Sequence, residues 1–264
     1  MVKEFSLPRV LTIAGSDSGG GAGIQADLKT CSALGVYCTT AITAVTAQNT
    51  VGVIRIKEMS LEMVDAQINA VLSDIGADVV KTGMLANSRI IQTVVKSLTI
   101  YGVRKLVVDP VMVAKSGDRL LREDAVKELC TKLLPLATVV TPNIPEAEII
   151  TGRSIESISD LDKAGLSILS MGVEAVVIKG GHMSGPPIDR LFTVDGKMEF
   201  PGERVNTRST HGTGCTFAAA ISACLAKGFS LTESVKEAKA YVTRALRAAY
   251  PLGHGFGPVE HFFK

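Results

Sequence analysis

Short apolar runs alternate with longer segments of helical period along almost the whole chain. Val10-Leu-Thr-Ile-Ala14, Ala41 to Ala47, Asp78-Val-Val-Lys81, Lys105-Leu-Val-Val-Asp109, Thr138-Val-Val-Thr141 and Ala175-Val-Val-Ile-Lys179 are rich in β-branched residues and bounded by Gly, Pro, Asn or Asp, which predicts strands. Several are apolar without alternation, as strands buried on both faces should be. Between them, Leu61, Val64, Ile68, Val71 and Leu72 follow helical spacing, as do Val235, Ala238, Val242, Ala245 and Leu246 behind a Ser230…Glu233 capping box. The alternation predicts an α/β fold of parallel strands crossed by helices. From His182 to Arg204 the rhythm breaks, and the Asp195-Gly196 turn within Leu191 to Met198 predicts a β-hairpin at the sheet edge. A glycine-rich turn at His211-Gly-Thr-Gly214 and two helices, near 213–227 and 231–249, complete the chain. No repeat, low-complexity tract or linker composition interrupts it, so residues 1–264 are expected to form a single domain.

Composition narrows the picture. At 264 residues, 46% apolar and 20% charged, the chain is too apolar for disorder and too long for a disulfide-stapled miniprotein. A net charge of +2 gives no reason to expect nucleic acid or an acidic membrane surface, and the partner is expected to be small. Five cysteines without a C-x-x-C pair fit free thiols in a reducing compartment. The first apolar run is too short for a signal segment, and Thr30 to Ile54 is too polar for a hydrocarbon core, so a cytoplasmic or organellar protein is expected.

Ligands of open α/β sheets bind beyond the carboxyl ends of the strands, so the residues just after each strand carry the chemistry. Ser16-Asp-Ser-Gly-Gly-Gly-Ala-Gly23 follows the first strand and opens a helix. Gly21-Ala-Gly23-Ile-Gln-Ala26 loosely fits a dinucleotide-binding pattern, but no acid lies between Asp27 and Glu58 to hold a ribose, and no Walker lysine follows the glycines. What remains is nearly bare backbone that a flat ligand can approach, with Asp17 beside it; a tight βα turn would look similar. Asn143-Ile-Pro-Glu146 puts an amide and a carboxylate after a strand, fit for phosphates and hydrated Mg²⁺ and equally for an ordinary helix cap. Lys179-Gly-Gly181 adds a strand-end lysine. Thr210-His-Gly-Thr-Gly-Cys-Thr216 is the most specific segment: its small residues enter a helix with free N–H groups, an anion site, and Cys215 sits where the helix dipole lowers a thiol pKa. Cys215 is therefore expected to ionise near neutrality. Cys31, Cys38, Cys130 and Cys224 are expected to be structural, and the four histidines have no zinc-ligand spacing.

Taken in order, Leu11 to Lys29, Thr46-Ala-Gln-Asn-Thr50, Lys81-Thr-Gly-Met84, Asp109 to Asp118, Thr141 to Glu146, Lys179-Gly-Gly-His182 and His211 to Cys215 resemble the hydroxymethylpyrimidine/phosphomethylpyrimidine kinases of thiamine biosynthesis, within the ribokinase superfamily. The resemblance spans nearly the whole chain. It implies a ribokinase-like three-layer α/β sandwich with a central, mostly parallel sheet. It also implies two successive transfers of the ATP γ-phosphoryl group, to the hydroxymethyl group and then to the monophosphate, in a homodimer. By this resemblance Gln48 meets the aminopyrimidine edge, with Ala22, Met84 and Val111 lining the ring pocket and Asp17 and Gly21 beside it. Cys215 stands where the superfamily usually has an Asp base, and Gly212, Thr213 and Gly214 form the anion hole. Asn143, Glu146, Lys179, His211 and Lys115 fall on the nucleotide side, with Glu146 and Asp109 toward Mg²⁺. The small-residue segment around Lys115 reads as a lid whose ammonium group closes over phosphates. One departure is Ser209, where this family commonly has Asn. The rival expectations are a pyridoxal kinase of the same superfamily and a catalytically idle binding protein. Thr46 to Thr50 and Met84 favour the pyrimidine, and Cys215, Glu146 and the glycine turn together disfavour idleness.

Overall fold

The computed structural model describes residues 7–113, 117, 120–183 and 185–263; Lys115 and Asp118 lie outside them. The strands are β1 (Arg9–Asp17), β2 (Tyr37–Gln48), β3 (Val53–Glu58), β4 (Val79–Thr82), β5 (Leu106–Val108), β6 (Val139–Val140), β7 (Ala175–Ile178), β8 (Asp189–Thr193) and β9 (Gly196–Phe200). They form one sheet in the order β3-β2-β1-β4-β5-β6-β7-β8-β9. Pairings among β1, β2 and β4 to β7 are parallel, whereas β3 is antiparallel to β2, and β8 and β9 run antiparallel beyond β7. The β8–β9 hairpin turns at Asp195-Gly196 on the sheet edge, as the turn signal predicts. β3 was not among the expected strands. Its exposed Ile54, Arg55 and Lys57 alternate poorly with only half-buried apolar residues, which blurs the period-two signal.

Helices cover both faces. On one side α2 (Leu61–Asp74), α3 (Ser88–Ile100), α4 (Glu123–Glu128), α5 (Ile144–Thr151) and α6 (Ile158–Leu169) bury Val64, Ile68, Ile91, Ala125, Ala147, Leu161 and Ile168 against Leu11, Val80, Leu106, Val108, Val140 and Val176. On the other, α1 (Gly23–Ala33), α7 (Thr213–Ala226) and α8 (Leu231–Arg247) pack Cys31, Phe217, Ile221, Val235 and Val242 against Val10, Val79, Val107, Val139 and Val177. Successive side chains of each parallel strand thus enter opposite cores, so the apolar runs do not alternate. The architecture is the expected three-layer α/β sandwich with a mostly parallel sheet.

A charged group lies inside this apolar body. The Lys81 side chain on β4 is fully buried, and its Nζ stands 3.0 and 2.9 Å from Asp27 Oδ1 and Oδ2 on α1. Thr12 Oγ1 on β1 donates to Asp27 Oδ2 at 2.5 Å. Burial raises the Asp27 pKa against the opposing pull of Lys81 and Thr12, whereas at Lys81 the Asp27 charge outweighs burial and holds the ammonium well above the usual lysine range. The pair ties α1, β1 and β4 together just below their carboxyl ends. Lys81→Met leaves the Asp27 carboxylate buried and unpaired, so a loss of about 3–5 kcal/mol is expected in urea denaturation. Asp27→Asn combined with Lys81→Met should recover most of that loss, because the Thr12 hydrogen bond survives and no charge is stranded.

Candidate active site

Beyond the end of β1, Asp17 organises the glycine-rich loop. Its Oδ1 accepts the Gly19 N–H at 2.8 Å, and its Oδ2 accepts those of Gly21 and Ala22 at 3.0 and 2.8 Å. His211 Nε2 lies 2.9 Å from the same Oδ2. Burial would raise the Asp17 pKa, but the hydrogen bonds from His211, Ala22 and Gly19 outweigh it and hold the carboxylate below its ordinary range. Both oxygens of Asp17 thus hold the loop and His211, which makes it the organiser of the glycine-rich loop. His211, expected on the nucleotide side, is grouped instead with Asp17 and Gln48. The absence of a Cβ at Gly21 is the reason, since one there would overlap the imidazole.

Gln48 closes this side of the site. Its Oε1 accepts from Thr46 Oγ1 at 3.2 Å, and its backbone N–H and carbonyl both bond the Ser18 hydroxyl at 2.8 Å. Gln48 Nε2 lies 3.4 Å from His211 Nε2. Facing a carboxylate, that imidazole nitrogen carries the proton, so it cannot also accept from the amide. The Gln48 amide N–H groups are left available to a ligand. Met84 is buried nearby, its carbonyl accepting from Thr43 Oγ1 at 2.6 Å, and Val111 packs partly buried against the core. A cavity of about 770 Å³ lined by Ile56, Glu58, Ala86, Leu121 and Arg122 shares only Met84 with the expected ring pocket.

On the other side, Lys179 Nζ at the end of β7 stands 3.3 Å from Asp109 Oδ1 and 3.9 Å from Glu146 Oε2. Asn143 caps α5 by accepting the Glu146 N–H at 2.8 Å, while Glu146 Oε2 accepts the Asn143 N–H at 2.8 Å. The helix-cap alternative is therefore true in itself, and it aims the Glu146 carboxylate at Lys179. Burial pushes Glu146 up to about 7, with Lys179 opposing and Asp109 reinforcing the shift. Among the described residues no three His, Cys, Asp or Glu side chains converge as a metal cage.

The N-terminus of α7 lies between these clusters. Gly212 caps it in the left-handed region at φ 80° with no side-chain hydrogen bond; Thr213 N–H donates to the Thr210 carbonyl at 3.4 Å, leaving those of Gly214 and Cys215 to a ligand. A Cβ at Gly212 would overlap the Gly21 carbonyl, and one at Gly214 would lie 3.2 Å from Lys179 Nζ and 3.9 Å from each Asp109 oxygen. The turn therefore needs glycine at Gly212. The shielded Thr210 hydroxyl oxygen beside it has no hydrogen-bond partner among the described residues. Cys215 is only partly accessible. Burial pushes its thiol up to about 12; Lys81 and the Gly23 N–H work against this, and Asp109 and Asp27 add to it. This corrects the expectation of a thiol poised near neutrality. The helix N-terminus is present, but desolvation and two carboxylates outweigh it. Ser209, the departure from the resembled pattern, gives its hydroxyl to the Tyr250 carbonyl at 3.1 Å.

An open sheet with an uncapped helix N-terminus, a lysine between two carboxylates and a polar recess beside a glycine loop defines a small-molecule phosphotransferase of ribokinase-like architecture. Residues 17–260 match the family model described as phosphomethylpyrimidine kinase. The chain is 51% identical over 258 residues to the hydroxymethylpyrimidine/phosphomethylpyrimidine kinase of Rhizobium meliloti, which covers 96% of this chain and 97% of that protein. Among solved structures, the phosphomethylpyrimidine kinase of Clostridium difficile superposes with a TM-score of 0.82 at 44% identity, over 91% of this chain and 100% of that one. The pyridoxal kinase of Bacillus subtilis, solved as an ADP complex, superposes at 0.91 with 37% identity, over 97% of this chain and 98% of that one. The chain belongs to the phosphomethylpyrimidine kinase family.

A thiol that far above neutrality reacts as its small thiolate fraction. Alkylation of Cys215 by iodoacetamide, followed by peptide mass spectrometry, should be slow at pH 7 and rise roughly tenfold per pH unit up to about pH 10. A plateau near neutrality would restore the expectation drawn from sequence.

Proposed function

We propose that this chain phosphorylates 4-amino-5-hydroxymethyl-2-methylpyrimidine and then its monophosphate from ATP, as a step of thiamine biosynthesis. The observation that carries the reading is the placing of the uncapped α7 N-terminus between the Asp17–His211–Gln48 recess and the Asp109–Lys179–Glu146 cluster. The pyrimidine lies on the first side, where the Gln48 amide donates to its ring edge and Gly21 and Ala22 admit the flat ring. The ATP phosphates lie on the second, met by Lys179 and by the Gly214 and Cys215 N–H groups at the start of α7. Asn143 keeps Glu146 in place.

Mg²⁺ fits this donor set. It usually keeps several waters and takes one or two carboxylates plus substrate phosphates, and Asp109 and Glu146 offer two beside a gap that a Gly214 Cβ would narrow. When bound, Mg²⁺ would neutralise charge on the transferring phosphoryl group and offset the repulsion between Asp109 and a Cys215 thiolate. As the thiolate, Cys215 Sγ would take the proton of the hydroxymethyl oxygen while that oxygen bonds to the γ-phosphorus and the bond from phosphorus to the β,γ-bridging oxygen breaks, releasing ADP. The buried Lys81 ammonium favours the thiolate, and phosphoryl transfer through a loose transition state asks more for positioning than for a strong base.

Exposed Val45 on β2 and exposed Ile54 on the open β3 edge beside it support a homodimer. Five free thiols support a cytoplasmic, reducing location. The likeness to a pyridoxal kinase supports a second, weaker activity on pyridoxine-type alcohols; the higher identity to the pyrimidine kinases favours the pyrimidine as principal substrate.

Two variants test the assignment. Gln48→Leu should raise the KM for hydroxymethylpyrimidine far more than that for ATP, because the buried amine of the substrate loses its partner. Equal rises would remove Gln48 from the pyrimidine side. Cys215→Ala should lower turnover by about 100-fold or more with little change in ATP binding, and Cys215→Asp should recover part of it. Near-normal turnover of the alanine variant would mean that proton removal is not the task of this thiol.

A further inference from the structure

The Gly253-His-Gly-Phe-Gly-Pro-Val259 segment lies far in sequence from the site residues, yet it touches three of the loops that carry them. Phe256 N–H donates to the Thr50 carbonyl at 2.8 Å, and Gly255 N–H to Thr50 Oγ1 at 3.2 Å. Thr50 sits in the tight turn after Gln48, where Asn49 Oδ1 accepts the Val51 and Gly52 N–H groups at 2.9 and 3.2 Å. Farther along, the Gly257 carbonyl accepts the His211 N–H at 2.9 Å, and Val259 N–H donates to the His211 carbonyl at 3.4 Å. Pro258 lies against the glycine-rich loop, 3.0 Å from where a Gly21 Cβ would be. Just upstream, Tyr250 takes the Ser209 hydroxyl bond.

Glycine is required at the tight points. A Cβ at Gly255 would overlap the Thr50 carbonyl, and one at Gly257 would lie 2.8 Å from Ser209 Oγ. The far end is anchored in the body: Thr216 Oγ1 meets His261 Nε2 at 3.0 Å, and Tyr241 donates to the His261 carbonyl at 2.7 Å. The segment is therefore held between α7 and α8 at one end and the Gln48 turn at the other. Its hydrogen bonds from Gly255, Phe256, Gly257 and Val259 to Thr50 and His211 all fall on the Gln48 side.

We propose that Gly253–Val259 is a positioning strap that fixes the spacing between Gln48 and His211 and so sets affinity for the pyrimidine, not for the nucleotide. The inference rests on the assignment of the Gln48 side to the pyrimidine. The imidazole of His211 is oriented from its backbone by Gly257 and Val259, and Gln48 is oriented through Thr50. Neither strap residue touches the substrate; they act through those two side chains.

The test measures KM for hydroxymethylpyrimidine and for ATP, with melting temperature, in Gly255→Ala, Thr50→Ala, Thr50→Ser and Gln48→Leu. Gly255→Ala should raise the pyrimidine KM by about 10- to 100-fold while the ATP KM stays within about two-fold, since displacement of a positioning group by an ångström has effects of that size. Thr50→Ala removes one acceptor without overpacking, so it keeps the fold and should raise the pyrimidine KM about five-fold, the share of one hydrogen bond. Thr50→Ser should restore it. If Gly255→Ala and Thr50→Ala leave the pyrimidine KM unchanged while Gln48→Leu raises it, or if both KM values move together with the melting temperature, the strap is merely structural. If Gln48→Leu itself leaves the pyrimidine KM unchanged, the assignment of that side fails, and the strap proposal with it.

Discussion

Close approach of one helix to one loop governs this site. The N-terminus of α7 reaches the glycine-rich loop only because Gly212 lacks a Cβ that would strike the Gly21 carbonyl. Behind that end, Ala218, Ala219, Ala220 and Ala223 let the helix lie closely against the sheet. Any side chain at Gly212 would push the helix end and the glycine-rich loop apart. The catalytic apparatus is thus a consequence of backbone packing before it is a matter of side-chain chemistry.

Electrostatics at the carboxyl ends of the strands follows from that packing. Asp27, Lys81, Asp109, Lys179 and Glu146 each act on a neighbour of opposite sign, and Cys215 experiences Lys81, Asp109 and Asp27 together. A thiolate added to this set meets two carboxylates in a desolvated place, so the thiol keeps its proton until positive charge arrives.

The shared scaffold explains why pyridoxal and pyrimidine kinases superpose so closely. Both chemistries need an anion site at a helix N-terminus and a flat-ring recess beside a glycine loop, and neither requirement distinguishes the rings. Discrimination falls to the few polar groups that face the ring edge. In the reading proposed above these are Gln48, whose amide N–H groups are unspent, and His211, whose ring is turned toward Asp17.

The parallel sheet was legible in sequence because strands buried on both faces leave uninterrupted apolar runs, and the phosphate turn was legible because glycines clustered before a helix have few other uses. β3 was not, since an exposed edge strand has neither signal. Lys81 and Asp27 stood within recognisable blocks, yet nothing in their spacing, 54 residues apart, indicates that they neutralise each other in the core. The same holds for Asp17 with His211, 194 residues apart, and for the C-terminal segment that holds Thr50. Residue type and local order determined the fold class, the anion turn and the family. Long-range packing alone decided which charges meet, that His211 stands with Asp17 and Gln48, and that burial raises the Cys215 thiol, because pKa depends on burial and on neighbours that sequence order does not reveal.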